Sequence, residues 1–143
     1  MKSLFAAALL LPALALAQNT PVGLWKTIDD DGKTAKSLVR ISEQGGTLVG
    51  SIDKLLDPTS TADAKCDKCS DDRKDKPVLG LQIIRGVKAE DGGVWGGGEI
   101  LDPNNGKTYR TRLKPVDGGK KLEVRGYIGT PLFGRTQTWV RAD

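Results

Sequence analysis

Residues 122–141 read LEVRGYIGTPLFGRTQTWVR, and this stretch decides the fold. Apolar and polar residues alternate from 122 to 128 and again from 135 to 141, which is the period of a β-strand with one buried face. Between the two runs lies TPLFG, a segment whose proline and glycine are typical of turns. The stretch therefore predicts two neighbouring antiparallel strands joined by a short turn.

The same stretch holds the densest mixture of guanidinium, aromatic and amide groups in the chain. Guanidinium groups bind carboxylates and phosphates through paired hydrogen bonds. The candidate ligand-binding residues are Arg125, Tyr127, Arg135 and Trp139. Alternation places Arg125, Tyr127, Trp139 and Arg141 in compatible phases on their strands, so one face could present them together. Because a one-residue slip in register reverses every side chain, the alternative that this face is turned outward stays open.

The rest of the chain carries the same strand pattern. Counting the two strands above, eight extended segments are predicted, with turns rich in Gly, Pro, Asn and Asp between most of them. They cover residues 23–28, 37–43, 47–56, 78–88, 94–101, 107–114, 122–128 and 135–141. Beyond the first residues, no long run shows the apolar spacing of a helix. The sequence predicts an all-β fold, a single antiparallel up-and-down β-barrel of about eight strands, because closure removes exposed edges.

Two features interrupt this pattern. Residues 57–77 form a polar loop that contains both cysteines, and loops this long are uncommon in compact domains and are often functional or mobile. Three successive glycines at 96–98 lie within the fifth predicted strand. Such a run predicts a bulge, a barrel corner or close packing of a large side chain above it.

The first 17 residues are predicted to be a cleaved signal peptide. Lys2 gives a basic start, residues 4–16 are apolar with only Pro12 interrupting them, and residues 15–17 form a small-x-small cleavage site before Gln18. A membrane anchor is disfavoured, because the run is shorter than the roughly 20 residues of a spanning helix and lacks a basic flank. We therefore expect an exported, most simply periplasmic, protein whose remaining residues, 18–143, form one domain.

The chain contains no histidine, which excludes several classes of site. Ser-His-Asp and Cys-His catalysis are excluded, as are zinc and haem bound through histidine. The single methionine is the initiator, so methionine-ligated haem and copper are excluded too. No pair of carboxylates is marked as catalytic, so we expect no enzyme activity, metal or cofactor. Removing Lys2 from the 22 basic residues leaves 21 against 18 acidic ones, which does not indicate a nucleic-acid partner.

Several motifs are distributed along the chain after the predicted signal peptide. They are Gly23-Leu-Trp25, the Cys66-x-x-Cys69 loop, Gly80-Leu81, Ile100-Leu-Asp-Pro-x-x-Gly-Lys-Thr-Tyr109 and the stretch 122–141. Together they resemble the exported bacterial DUF2147 family. The resemblance implies a small lipocalin-like β-barrel of uncharacterised function.

One pair of residues also looks like a lipocalin arrangement, in which an arginine of the last strand packs over a tryptophan of the first. Trp25 and Arg141 occupy those places here. Such a cation–π contact would contribute about 0.5–2 kcal/mol, depending on desolvation. We expect this pair to be structural, closing one end of the barrel.

Cys66 and Cys69 are expected to form a disulfide, because the compartment predicted above is oxidising. Closing so short a loop would contribute only about 2 kcal/mol. A redox role remains an alternative, although the helix N-terminus that activates a thiolate is missing from the pattern. A metal site is a further alternative, for which nearby carboxylates would have to supply the remaining ligands.

The inside of the predicted barrel is the remaining place for function, since eight-stranded barrels are either filled by side chains or hold one small ligand. We expect a small amphipathic or anionic ligand in the barrel or at its mouth. The alternative is a structural or interaction protein of the cell envelope with a filled barrel and a protein partner. A cavity of at least roughly 300 Å³ with convergent polar groups would favour binding.

Overall fold

The computed structural model describes residues 19–143, and they form a closed antiparallel barrel of eight strands. Each strand pairs with the next along the chain, and the last strand pairs with the first. The prediction of an all-β up-and-down barrel is therefore confirmed. The predicted signal peptide, residues 1–17, lies outside the described residues.

The strands alternate with short turns, apart from one long connection. They are β1 (Gly23–Ile28), β2 (Ala35–Gln44), β3 (Thr47–Leu55), β4 (Gln82–Ala89), β5 (Trp95–Asp102), β6 (Lys107–Val116), β7 (Lys121–Tyr127) and β8 (Gly134–Arg141). Three single 3₁₀ turns lie at Asp91–Gly93, Asp117–Gly119 and Pro131–Phe133. Among residues 19–143, none of the helical segments is long and apolar enough to cross a bilayer.

The core lies inside the barrel, where every second side chain of each strand points. In β7 the inward residues are Leu122, Val124 and Gly126, and their partners in β8 are Trp139, Gln137 and Arg135. The fully buried large side chains include Trp25, Val39, Ile41, Ile84, Val87, Leu113 and Leu122. Most of them lie in the half of the barrel nearer to the β2–β3 and β6–β7 turns.

Trp25 and Arg141 close this end of the barrel. They are opposite each other in the β1–β8 pair, and the guanidinium carbon of Arg141 lies 4.2 Å from the centre of the Trp25 ring. The Arg141 Nε donates to the carbonyl of Gly119 at 2.6 Å, and its Nη1 donates to the carbonyl of Val22 at 3.1 Å. The Trp25 indole N–H donates to the carbonyl of Pro21 at 2.7 Å. The stacked ring and guanidinium, with these hydrogen bonds, therefore close this end of the barrel.

The predicted glycine bulge is present in β5. The register between β5 and β6 shifts between Trp95 and Gly98, and Gly97 has φ +76°, a conformation that glycine adopts without strain. Gly98 lies so close to the backbone of β4 that a Cβ there would collide with the carbonyl of Arg85. The bulge therefore lets β4 and β5 approach where the barrel wall bends.

The long connection runs from 56 to 81, and β4 begins at Gln82 rather than at Val78 as predicted. The physical reason is a turn at Gly80, which has φ +88° and donates its backbone N–H to the carbonyl of Ile52 at 2.7 Å. Leu81 N–H closes the turn onto the carbonyl of Val78 at 3.1 Å. Gly80 and Leu81 still exchange backbone bonds with Ile52 of β3, but the turn interrupts the regular ladder before Gln82.

The connection is folded onto the barrel. The disulfide between Cys66 and Cys69 is present, and both cysteines are buried, with 0% and 3% of their surface exposed. Arg73 is also buried, and its Nη1 donates to the carbonyl of Gln82 at 2.9 Å. Such burial removes the access that thiol–disulfide exchange requires, which argues against the redox alternative.

Candidate functional site

A cavity of about 220 Å³ opens at the end of the barrel opposite to Trp25 and Arg141. Its mouth lies between the turn after β1 and the turn after β5, and the inner face of β8 forms one wall. The lining residues are Thr27, Ile28, Asp29, Asp30, Lys36, Ser37, Ile52, Ile83, Ile100, Leu101, Asp102, Pro103, Asn104, Tyr109, Val124, Gly126, Arg135, Gln137 and Trp139. We call this space the cup.

The bottom of the cup is apolar. Ile52, Ile83, Val124 and Trp139 are all buried and present hydrocarbon or ring edges to it. Gly126 contributes to the free space, because a Cβ at this position would lie 3.6 Å from Tyr109, an ordinary contact distance, and meet nothing closer. A ligand can therefore bury an apolar group here without displacing any side chain.

The rim of the cup is polar, and one contact spans the mouth. The Asp30 carboxylate accepts a hydrogen bond from Arg135 Nη1 at 2.8 Å and another from Gln137 Nε2 at 2.9 Å. The Gln137 Oε1 accepts a hydrogen bond from the Trp139 indole N–H at 2.9 Å. The tip of the β1–β2 turn is thereby tied to the inner face of β8.

Two further polar pairs line the walls. The hydroxyls of Thr27 and Ser37 lie 2.9 Å apart in a hydrogen bond between β1 and β2, and both residues are buried. Across the cup, the Tyr109 hydroxyl accepts a hydrogen bond from the Asn105 amide at 3.1 Å. Hydroxyls both donate and accept, so these pairs can rearrange around a polar ligand group.

Lys36 is the second cation at the rim, and it is held by acids. Its Nζ lies 2.7 Å from the Asp57 carboxylate and 3.9 Å from that of Asp29. The hydrogen bond from Lys36 lowers the pKa of Asp57 from 3.8 to about 2, and the same bond raises the pKa of Lys36. A ligand anion would have to compete with Asp57 for this ammonium group.

The β1–β2 turn that carries Asp30 is itself held in shape by hydrogen bonds. The Asp31 carboxylate accepts from the hydroxyl and backbone N–H of Thr34 and from the backbone N–H of Lys33. These hydrogen bonds lower the pKa of Asp31 to about 2, and the bond from the Thr34 hydroxyl has the largest effect. The turn therefore presents Asp30 to the mouth of the cup in a defined position.

A second depression, of about 290 Å³, lies on the outer wall over the glycine bulge. It is lined by Arg85, Gly86, Gly97, Gly98, Glu99 and Arg110. Although its volume is larger, its floor is glycine backbone, and Arg85 already donates to both carboxylate oxygens of Asp72 at 3.0 and 2.9 Å. The cup, with its apolar bottom and polar rim, is the better ligand site.

The family follows from the chain as a whole. A family model described as "Uncharacterized protein conserved in bacteria (DUF2147)" matches residues 23–141, which includes all eight strands. The chain belongs to the DUF2147 family. No curated protein matches it.

The DUF2147 barrel is also similar to a solved structure with this description: "Protein HP1028 from the human pathogen Helicobacter pylori belongs to the lipocalin family". The TM-score is 0.74 at 19% sequence identity, with 87% of this chain and 84% of that chain covered. At this identity the likeness shows the fold. The lipocalin-like barrel that the sequence implied is therefore confirmed.

The four candidate ligand-binding residues do not share one face of the DUF2147 barrel. Arg135 and Trp139 line the cup, whereas Arg125 and Tyr127 have the opposite phase and do not, Arg125 lying on the outer wall and Tyr127 being buried away from the cup. Arg125 there donates from Nε to the carbonyl of Pro131 at 2.7 Å and from Nη1 to the hydroxyl of Thr136 at 2.8 Å. The expected common phase was wrong, because the β7–β8 register pairs Gly126 with Arg135 and puts the odd-numbered residues of β7 outside.

Sequence reasoning missed several polar residues of the cup. Asp30 lies in an acidic turn between two strands, and Thr27, Ser37 and Gln137 lie within strands, so none of them carries a local motif. The signal that could have found Gln137 is its spacing, since Arg135, Gln137 and Trp139 lie two residues apart and therefore on the same face of one strand. Within residues 19–143, no cluster of three or more acidic or cysteine residues is arranged to hold a metal ion.

Proposed function

We propose that this DUF2147 protein binds a small amphipathic molecule in the cup. The observation that carries the proposal is a cavity that is apolar at its bottom and polar at its open rim, at the end of the barrel opposite to Trp25 and Arg141. Burial of apolar surface supplies the free energy of binding, and a few convergent polar groups supply orientation. The ligand would lie with its hydrocarbon part on Val124 and Trp139 and its polar group at the mouth.

The size of the cup limits the ligand. Its volume of about 220 Å³ is below the roughly 300 Å³ set out above as the lower bound for a pocket of ordinary size. The convergent polar groups are nonetheless present at the rim. We therefore expect either a short-chain molecule or a longer one whose polar end protrudes from the mouth.

Export to the periplasm and a non-enzymatic role belong to the same proposal. The basic start, apolar run and small-residue site of residues 1–17 support export. A carrier that holds its ligand without converting it needs only the groups present in the cup, which are hydroxyls, amides and paired charges.

Native mass spectrometry of protein purified from its own periplasm tests the proposal, since a retained small molecule appears as a defined mass increment. A matched pair of variants identifies where it binds. Gly126→Ala fits without a clash, whereas Gly126→Leu fills the cup. We expect the alanine variant to keep the adduct and the leucine variant to lose it. No adduct, together with no thermal shift across short amphipathic compounds, would refute the proposal.

A second candidate, an interaction role at the envelope, is favoured by an apolar turn beside the mouth. Ile128, Leu132 and Phe133 in the β7–β8 connection are 65%, 85% and 77% exposed. On the outer wall next to this turn, Arg112 and Arg125 face each other across the β6–β7 pair. Exposed apolar side chains next to guanidinium groups fit an anionic lipid surface.

Vesicle flotation tests this second candidate. Vesicles with anionic lipid should float the wild-type protein, zwitterionic vesicles should not, and the double variant Leu132→Ser/Phe133→Ser should lose flotation. Equal behaviour of the double variant and the wild type would exclude a lipid role for this turn. Cross-linking to one envelope protein without flotation would favour a protein partner instead.

A further inference from the structure

We propose that Asp30 occupies a carboxylate subsite of the cup, and that a ligand carboxylate takes its place on Arg135 and Gln137. The inference rests on the proposed function and specifies its ligand class, an amphipathic carboxylate. It follows from the way in which the chain already binds one carboxylate group at the mouth.

The geometry is that of a two-donor carboxylate site. Arg135 Nη1 donates to one oxygen of Asp30 at 2.8 Å, and Gln137 Nε2 donates to the other oxygen at 2.9 Å. The donors are 105 and 107 residues away in sequence, so only the closed barrel brings them to Asp30. Two donors that address the two oxygens of one carboxylate fix its position and orientation.

The orientation of one donor, Gln137, is fixed by a further hydrogen bond. The Gln137 Oε1 accepts from the Trp139 indole N–H at 2.9 Å, and this bond requires the amide NH₂ to face the mouth. Both donors project from the inner face of β8, which at these positions pairs with Gly126 and Val124 of β7. The acceptor, by contrast, is carried by a turn. The donors and the acceptor therefore belong to separate elements, and displacement of the Asp30 side chain leaves β8 unchanged.

The contact with Asp30 is one that a ligand can replace. Asp30 and Arg135 are 43% and 74% exposed, and ion pairs in such positions are weak because water solvates both charges. Released Asp30 would be solvated beyond the rim, so its loss from the site costs little. A ligand carboxylate arriving with a hydrocarbon chain adds burial on Val124 and Trp139, which Asp30 cannot provide.

The mouth selects a carboxylate that is attached to an apolar chain. Free small anions would have to displace Asp30 without gaining apolar burial, and they would meet the charges of Asp29 and Asp102 on the same rim. An amphipathic carboxylate buries its chain at the bottom of the cup, and the free energy of this burial offsets the cost of displacing Asp30 at the rim. Asp30 therefore acts as an internal competitor. A ligand carboxylate reaches Arg135 and Gln137 only if its binding free energy exceeds the cost of displacing Asp30.

Binding of octanoate and of octan-1-ol, measured by calorimetry, tests the inference with a matched pair of probes. The alcohol has the same chain and no charge, so it measures the cup alone. Asp30→Asn should raise the affinity for octanoate about threefold and leave octanol unchanged, because a weak internal competitor is removed. Arg135→Gln should lower the affinity for octanoate about fivefold and also leave octanol unchanged.

Two charge-matched variants serve as controls. Asp29→Asn removes the same charge from the rim without touching β8, and Arg125→Gln removes an arginine from the outer wall. Equal gains of octanoate affinity in Asp29→Asn and Asp30→Asn would overturn the inference in favour of a general charge effect. If octanol binds but neither Asp30→Asn nor Arg135→Gln changes the affinity for octanoate, the inference is also overturned, while the proposed function stands. Failure of both probes to bind any variant would refute the proposed function itself.

Discussion

Replacing Arg141 with alanine tests how the closed end of the barrel is held. The guanidinium lies 4.2 Å from the Trp25 ring centre, and its side chain is 16% exposed. A partly desolvated cation–π contact is worth about 1–2 kcal/mol. The hydrogen bonds to the carbonyls of Gly119 and Val22 come from a charged group, and their loss adds about 1.5 kcal/mol or more. The expected loss in the free energy of unfolding is about 3 kcal/mol.

The assay is urea unfolding followed by tryptophan fluorescence, with a thermal melt in parallel. A loss of about 3 kcal/mol in a domain of this size lowers the Tm by about 10 °C. Arg141→Lys should recover part of the loss, since lysine keeps the charge but lacks the planar fork. Arg125→Ala, which removes an arginine from the outer wall, should cost less than about 1 kcal/mol. An Arg141→Ala variant within about 0.5 kcal/mol of the wild type would refute the reasoning.

Three further predictions concern the same fold. Asp57→Asn should lower the free energy of unfolding at pH 7. The difference in this free energy between the variant and the wild type should shrink as pH falls from about 4 to about 2, because the folded-state pKa of Asp57 is depressed from 3.8 to about 2. Urea unfolding at several pH values measures this. The double variant Cys66→Ser/Cys69→Ser should unfold about 2 kcal/mol more easily, since a short loop is opened; calorimetry measures this. Gly98→Ala should destabilise the barrel by about 1–3 kcal/mol through a backbone clash, while Gly126→Ala should be nearly neutral in the same melt.

Each of these has an outcome that contradicts it. A difference between Asp57→Asn and the wild type that persists undiminished at pH 2 would show that the lysine contact does not depress this pKa. A double cysteine variant as stable as the wild type would mean that packing alone orders the long connection. Equal stability of the two glycine variants would contradict the close approach of β4 and β5.

The strand positions were largely predictable because alternation is a local property. Seven of the eight strands begin and end within a few residues of the predicted ranges, and the error at β4 came from apolar residues such as Val78 and Leu81 that lie in a turn. The bulge at the three glycines was predictable too, because φ above zero is a property of the residue type.

The candidate site was predictable only in part. Arg135 and Trp139 were identified from their chemistry, and they line the cup. Arg125 has the same guanidinium group as Arg135 but points outward. Which side chains of β7 point inward depends on its register with β8, which the sequence does not specify. Asp30 could not be identified from its neighbours in sequence, because the residues that bind it are more than 100 positions away.

The sequence by itself determined the all-β class, the eight strands and the absence of every histidine-dependent chemistry. Its local periodicity and residue types are sufficient for these conclusions. The tertiary structure alone decided which face of each strand is interior, how deep the cup is and which charges meet at its mouth. Closure of the barrel sets these features, because it fixes register and brings residues from opposite ends of the chain together.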